Sequence, residues 1–349
     1  MYCFNSDYTE GCHPKILDIL TATNMEQTVG YGEDEYCKMA AQRIKNACKR
    51  DDIYVQFLVG GTQTNLTVIS AALRSHQGVL SAESGHIGVH ETGAIEATGH
   101  KVLALPTTDG KITAKQVDDA VTAHFNDDTH EHMVQPKMVY ISNPTEFGTI
   151  YSKDEMKALR QVCDKHHLYL FMDGARLGYG LCASRNDLTL DVLCEYCDVF
   201  YIGGTKVGAL FGEAVVIVND ELKMDFRYIM KQHGGMLAKG RLLGLQFLTL
   251  FTDDLYFKIS RHAIALADRL RAGLKELNVE FLVDSPTNQV FPILSNAVLE
   301  RLKEGYIYSY WQKIDDNYSA IRFCTSWATK EEAVDSLLND LKEYIEHGQ

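Results

Sequence analysis

Hydrophobic and polar positions along this chain fall into two alternating periods. Ile53 to Val59 is a short apolar run that reads as a strand; Gly60-Gly61 breaks it, and Thr62 to Leu73 repeats apolar positions at helical spacing. Lys101 to Leu105 is the next strand. Thr113-Ala-Lys-Gln116 then carries a capping-box pattern, and Val117, Ala120, Val121 and His124 share one face of the helix it opens. Lys137 to Ser142 is again a strand. Ser152-Lys-Asp-Glu155 is a second capping box, with Met156, Leu159, Val162 and Cys163 as its apolar stripe. His167 to Met172 leads into Asp173-Gly-Ala-Arg176, and strands at Asp198 to Ile202 and Ala214 to Val218 follow. Strand and helix alternating in this way predict an α/β fold with a mainly parallel central sheet.

After Phe251 the rhythm changes. A long helical stretch from Asp254 to Leu277 precedes three short apolar runs, Val279 to Val283, Gln289 to Leu294 and Ser319 to Phe323. A third capping box, Thr329-Lys-Glu-Glu332, opens a last helix with Val334, Leu337, Leu341 and Ile345 on one side. The expected organisation is a large domain over residues 1–251, with segment 1–30 contributing to the site, and a smaller α+β domain over 252–349. A chain of 349 residues is long for a single core, which fits that division.

Composition narrows the function. The formal charge of −13 opposes binding to nucleic acid and to anionic membranes, so any anionic ligand needs its own local cluster of donors. No apolar run approaches the ~20 residues that span a bilayer, and the first residues do not read as a signal peptide. Nine cysteines, an odd number without a regular framework, fit reduced thiols, and the expected location is the cytoplasm. Cys194 and Cys197 have metal-ligand spacing but lack a second pair, so they read as buried thiols.

Three strand ends carry candidate chemistry, and in open α/β sheets ligands collect at such ends. Gly60-Gly61-Thr62-Gln63 lies between a strand and a helix, where small residues expose backbone N–H groups and the helix dipole favours a phosphate; the plain alternative is a turn with a threonine cap. Asp173 follows five apolar residues, where a carboxylate needs a cationic partner, either Arg176 or a protonated pyridine nitrogen. Lys206 follows Gly203-Gly204-Thr205 between two apolar strands. An amine buried there has a depressed pKa, as a Schiff-base lysine requires, whereas an exposed turn lysine has not.

In this order, phosphate loop, Asp-x-x-Arg and lysine resemble the aspartate-aminotransferase-like fold of pyridoxal-phosphate (PLP) enzymes, fold type I. In detail the chain resembles the threonine aldolase family of the β-eliminating lyase group: Asp173-Gly-Ala-Arg176 is identical to its motif, Ser6-Asp7-Tyr8-Thr9, Val29-Gly-Tyr-Gly-Glu-Asp34 and Gly61-Thr-Gln-Thr-Asn-Leu66 are similar to its segments, and Thr205-Lys206 stands where it has Ser-Lys. The resemblance implies that Gly61 and Thr62 hold the phosphate, Asp173 pairs with the ring nitrogen, Lys206 carries the cofactor and His86 stacks on its ring. It implies that Ser6, Arg176 and Arg322 bind the substrate carboxylate, with Tyr31 beside them. A homodimer or homotetramer is implied too, with Gly30-Tyr31-Gly32 and the turn at 234–241 reaching across.

Two departures stand out. The histidine that the family places after its central strand is absent from Ser142-Asn-Pro-Thr-Glu-Phe-Gly148, and the phosphate-binding arginine is replaced by Leu237, so that Lys239 or Arg241 compensates. His86, His90 and Glu91 do not follow the zinc-protease pattern, because the glutamate does not lie between the histidines, and no metal is expected. The expected reaction is retro-aldol cleavage of a β-hydroxy-α-amino acid to glycine and an aldehyde. The proton acceptor is left open among His86, His90, Glu146 and water. The alternatives are another PLP reaction on this scaffold (β-elimination, transamination or racemisation) and a PLP-fold protein without catalysis.

Overall fold

The computed structural model describes residues 1–346. The chain opens with a two-residue strand, β1 (Tyr2–Cys3), and then builds seven strands into one sheet: β2 (Tyr54–Leu58), β3 (Gln77–Ala82), β4 (Lys101–Leu105), β5 (Gln135–Ser142), β6 (Tyr169–Asp173), β7 (Val199–Gly203) and β8 (Glu213–Ile217). Their order is β2-β8-β7-β6-β5-β3-β4. β8 runs antiparallel to β2 and β7, and every other neighbouring pair is parallel. This is the mainly parallel α/β sheet that the alternating pattern predicts.

The sheet is covered on both faces, and its central strands show it residue by residue. All of β7 is buried: Phe200 and Ile202 join the apolar cluster on one face with Ile44, Leu159 and Phe247, while Val199 and Tyr201 join the cluster on the other with Val68, Ile69 and Phe226. Such strands lack a polar face, which is why they read as continuous apolar runs. A third cluster gathers Leu270, Leu274, Leu337 and Leu341, together with Phe4 from the start of the chain. The helix Leu255–Glu276 serves two clusters, with Tyr256 and Ile259 in the first and Leu270 and Leu274 in the third.

Capping boxes form in full at Thr113/Gln116 and Ser152/Glu155. The third does not. The last helix starts at Glu331, and the Thr329 hydroxyl accepts from the Ser326 N–H at 2.8 Å, closing a turn instead. Val279 to Val283 is not a strand either; it makes a single bridge, Phe281 to Pro292, and Pro292 has no N–H with which to extend a ladder. The same proline divides the run at 289–294 into β9 (Gln289–Val290) and β10 (Ile293–Ser295). β11 (Tyr306–Ile307) pairs with β1, and β12 (Ser309–Lys313) and β13 (Tyr318–Cys324) complete a small antiparallel sheet in the order β10-β13-β12, with β9 also on β13. Sequence patterning passes over β1, β3, β11 and β12. β3 is wholly buried yet contains Gly78, where a Cβ would stand 2.7 Å from the Lys101 carbonyl oxygen, so close packing replaced the usual branched residues.

Two features position the site. Phe4 donates to the Ile307 carbonyl and accepts from Cys324, so the segment that follows it is delivered to the edge of β13. The ends of β6 and β7 cross in contact: a Cβ on Gly174 would lie 1.8 Å from the Tyr201 carbonyl oxygen, and one on Gly203 would lie 2.2 Å from that of Ala175. Only glycine fits at either place. Among the described residues no helix is long and apolar enough to cross a membrane.

Candidate active site

The carboxyl ends of β2, β5, β6 and β7 open onto a cavity of about 290 Å³. Its walls bring together Tyr8, Gly60 to Thr62, His86, Glu146, Asp173, Arg176, Lys206 and Glu213. At one rim the helix Gly61–Ala72 begins without a side-chain cap, so its first N–H groups face the cavity unclaimed by the helix.

Asp173 ends β6 beneath this space. Its Oδ1 accepts from the Tyr201 hydroxyl at 2.5 Å and the Ala175 N–H at 3.0 Å; its Oδ2 accepts from the Tyr140 hydroxyl at 2.5 Å and Asn65 Nδ2 at 3.1 Å. Burial alone would raise its pKa, but nearby His86 and the donors from Tyr140, Tyr201 and Ala175 hold it below the ordinary carboxylate value. Asp173 is therefore an anion at neutral pH, and its hydrogen-bond partners are not Arg176. That arginine turns instead to Asp7, with Nε at 2.7 Å from Oδ2 and Nη2 at 3.0 Å from Oδ1. The N-terminal segment is thereby tied to the Asp-Gly-Ala-Arg turn.

Lys206 follows β7, its ammonium 5.9 Å from the centre of the Tyr8 ring. Burial lowers its pKa first and the neighbouring Arg176 lowers it further, against the pull of Asp7, Asp173 and Glu213. Glu213, at the start of β8, accepts from the Gly204 N–H at 2.9 Å, and burial pushes its carboxyl up to about 8.

The opposite wall holds a relay. His86 Nδ1 lies 2.7 Å from Glu91 Oε1, Asn65 Nδ2 donates to that same oxygen at 2.7 Å, and Asn65 also reaches Asp173. Burial favours neutral His86, yet the Glu91 hydrogen bond and the Asp173 charge raise its pKa overall. Beside it Glu146 Oε1 accepts from the His86 backbone N–H at 3.0 Å and the Ser142 hydroxyl at 2.8 Å, while Oε2 is buried without a partner among the described residues.

Of the residues singled out from sequence, Gly61, Thr62, His86, Asp173, Arg176 and Lys206 meet in this cavity, and Ser6, Tyr31, Lys239 and Arg322 are not part of its wall. Ser6 is buried next to Asp7. Arg322, on β13, donates to Gln289 Oε1 at 3.1 Å and the Asn5 carbonyl at 3.2 Å, and its Nε is buried without a partner among the described residues. Tyr31 is exposed on another face, where its N–H donates to the Ala238 carbonyl at 3.2 Å. Lys239 is exposed beside it, and Arg241 is engaged by the carbonyls of Glu26 and Asn24. Sequence reading missed Asp7 as the partner of Arg176 and gave no role to Asn65, Tyr140, Tyr201 or Glu213. The one available signal for the tyrosines was a phenol inside each strand flanking the aspartate strand.

The sequence profile of the β-eliminating lyases matches residues 4–297. The low specificity L-threonine aldolase of Pseudomonas aeruginosa is 30% identical over 355 aligned positions, covering 97% of this chain and 96% of that protein. A solved structure of Leishmania major threonine aldolase superposes with a TM-score of 0.96 at 45% identity, covering 99% of this chain and all of that one (100%). A variant of Thermus thermophilus aspartate aminotransferase, only 15% identical, shares the fold with a TM-score of 0.71 over 98% of this chain and 91% of its own. The chain therefore belongs to the β-eliminating lyases, within the threonine aldolase family, on the fold of the type I PLP enzymes.

Proposed function

We propose that this protein cleaves a threonine-like β-hydroxy-α-amino acid to glycine and an aldehyde with the help of PLP. The observation that carries the reading is one cavity that sets Lys206, an amine of lowered pKa, beside Asp173, a carboxylate kept ionised. The donor set suits the cofactor: the uncapped helix start at Gly61 and Thr62 would hold a phosphate, Asp173 would hold the ring nitrogen in its protonated form, and the His86 side chain offers a flat face. When bound, PLP supplies an electrophilic carbonyl for amines and an electron-withdrawing ring.

The chain's own groups do the rest. A lowered pKa leaves more of the Lys206 amine unprotonated and nucleophilic. The guanidinium of Arg176, fixed by Asp7 through Nε and Nη2, keeps its remaining donors for the substrate carboxylate. Arg322 and Ser6, outside the cavity wall, are the further candidates for the same task, Ser6 standing beside the Asp7 that anchors Arg176. Holding the carboxylate decides which Cα bond stands perpendicular to the ring. Tyr31 and Lys239, outside the cavity of their own chain, would serve the site of a second copy in a homodimer or a dimer of dimers. We assign the protein to the cytoplasm.

The test is an absorbance spectrum of purified protein before and after borohydride, followed by mapping of the modified peptide, which should contain Lys206. Incubation with L-threonine, L-allo-threonine and phenylserine should release glycine and the matching aldehyde. Modification at another lysine would undo the site assignment, and no glycine from any of the three would remove the aldolase reading.

A further inference from the structure

Retro-aldol cleavage needs a group that takes the proton from the β-hydroxyl, and the cavity offers few. Asp173 is the carboxylate assigned to the ring nitrogen, and the donors from Tyr140, Tyr201 and Ala175 hold it as an anion that takes up a proton poorly. His86 is held through Nδ1 by Glu91, an arrangement that favours its charged and therefore non-basic form. His90 is exposed outside the cavity wall. Glu213 accepts from Gly204 on the lysine side, across β7 from Asp173. Arg176 is paired with Asp7.

Glu146 is different. It stands just past the end of β5, so that Asp173 on β6 lies between it and Lys206 after β7. With neighbouring strands about 4.8 Å apart, the acid and the amine stem from strands roughly 10 Å apart on either side of Asp173. Both donors on Glu146, the His86 N–H and the Ser142 hydroxyl, converge on Oε1 and fix the carboxyl plane. Oε2 has no partner among the described residues and is shielded from water. A buried carboxylate oxygen left unpaired is costly unless a ligand hydroxyl or a proton completes it.

We infer that Glu146 is the catalytic residue that accepts the β-hydroxyl proton, with Ser142 and the His86 backbone N–H as the positioning groups that hold it. The inference rests on the aldolase reading above. The O–H bond of the substrate breaks and its proton passes to Glu146. The C–O bond becomes the aldehyde carbonyl, the Cα–Cβ bond breaks, and its electron pair stays with Cα. Cα then gains one proton to become glycine, balancing the one Glu146 took and later releases. Burial raises the proton affinity of this carboxyl, which suits it to the step in both directions.

The test compares wild-type holoenzyme with Glu146→Gln, whose amide oxygen can still accept both donors, and with Glu146→Asp, a carboxyl one methylene shorter. Three quantities are read: aldehyde release from L-threonine, exchange of the glycine α-proton in D2O, and the affinity of each protein for PLP by absorbance titration. Glycine has no β-hydroxyl, so its exchange needs the cofactor, Lys206 and Asp173 but not this step. Cleavage by the glutamine variant should fall by about 10²–10⁴-fold, the usual range for a lost general base. Exchange and PLP affinity should stay within about threefold, and the aspartate variant should fall between. Equal loss of cleavage and exchange, or loss of PLP affinity in both variants, would assign Glu146 to the cofactor or the fold and overturn the inference. Cleavage unchanged in the glutamine variant would overturn it as well. Wild-type protein that exchanges glycine but cleaves nothing would defeat the aldolase reading itself, a result separable from the other two.

Discussion

Replacing Asp7 by asparagine should destabilise the protein by about 3–5 kcal/mol, the usual result of leaving one member of a buried ion pair without its counter-charge. The Asp7 side chain is fully buried and that of Arg176 is 11% exposed. Asparagine keeps the shape but loses the charge that two guanidinium hydrogen bonds and the Asn288 amide converge upon. At roughly 2 °C per kcal/mol, the melting temperature should fall by about 6–10 °C. Removing both charges with Asp7→Leu and Arg176→Met should cost far less than the single change, because no orphaned cation remains.

The pH dependence checks the same claim. Burial raises the Asp7 pKa, but Arg176 and Lys206 bring it below its ordinary 3.8. A lowered carboxylate pKa gives stability that is complete above the unfolded-state value and lost as pH falls through the folded one. The gap between wild type and Asp7→Asn should therefore be constant from pH 5 to about 7 and close only below the ordinary value of 3.8. Differential scanning calorimetry of the cofactor-free proteins measures it. A variant that melts within about 1 °C of wild type at neutral pH would refute the reasoning.

The remaining predictions concern the other buried groups. Tyr140→Phe and Tyr201→Phe each remove a hydroxyl donor from a charged acceptor and should cost about 1.5–3 kcal/mol in urea unfolding, with weaker PLP binding as Asp173 becomes easier to protonate. Gly174→Ala places a Cβ 1.8 Å from the Tyr201 carbonyl oxygen and should yield insoluble or cofactor-free protein; a soluble, PLP-loaded variant would contradict the close crossing. Glu213→Gln should show an effect that grows with pH. The folded-state pKa is pushed up to about 8 by burial, so wild type loses stability as pH rises from 4.5 toward that value while glutamine does not titrate. Urea unfolding at pH about 5 and about 9 should show the variant gaining roughly 2–5 kcal/mol on wild type at the higher pH, and equal differences at both would refute it.

The strands that carry chemistry were legible because motif and fold demand coincide in them. Asp173-Gly174 and Gly203 are where β6 and β7 cross in contact, so the glycines that a close backbone approach requires flank the functional residues in sequence. Capping boxes at Thr113 and Ser152 were legible for a similar reason, since both partners lie within one turn. Thr329 has the same spelling, yet its hydroxyl is taken by Ser326. What stayed hidden depends on neighbours distant in sequence. Asn65 matters because it bridges Glu91 and Asp173, which are 26 and 108 residues away. Asp7 matters because β1 and Phe4 are pinned to strands near the other end of the chain, which sets the acid against Arg176. β3 was missed because Gln77, Gly78 and Ser81 interrupt its apolar run, Gly78 standing where the Lys101 carbonyl leaves no room for a Cβ.

A chain with a formal charge of −13 has to make its anion sites locally, and the cavity shows how. It contains three carboxyl groups, but they are not alike. Asp173 receives four donors and stays ionised, suited to a cationic ring nitrogen. Burial pushes Glu213 toward the neutral form, so the wall repels an incoming phosphate or carboxylate less than its composition suggests. Asp7, the fourth nearby acid, lies outside the cavity wall and is neutralised by Arg176. With this charge muted, the uncapped start of the Gly61–Ala72 helix offers its N–H groups to an anion at one end, and Arg176 still has donors to offer at the other. The protein's overall charge thus does not set the charge of the site, because the folded chain sets the protonation of each acid separately.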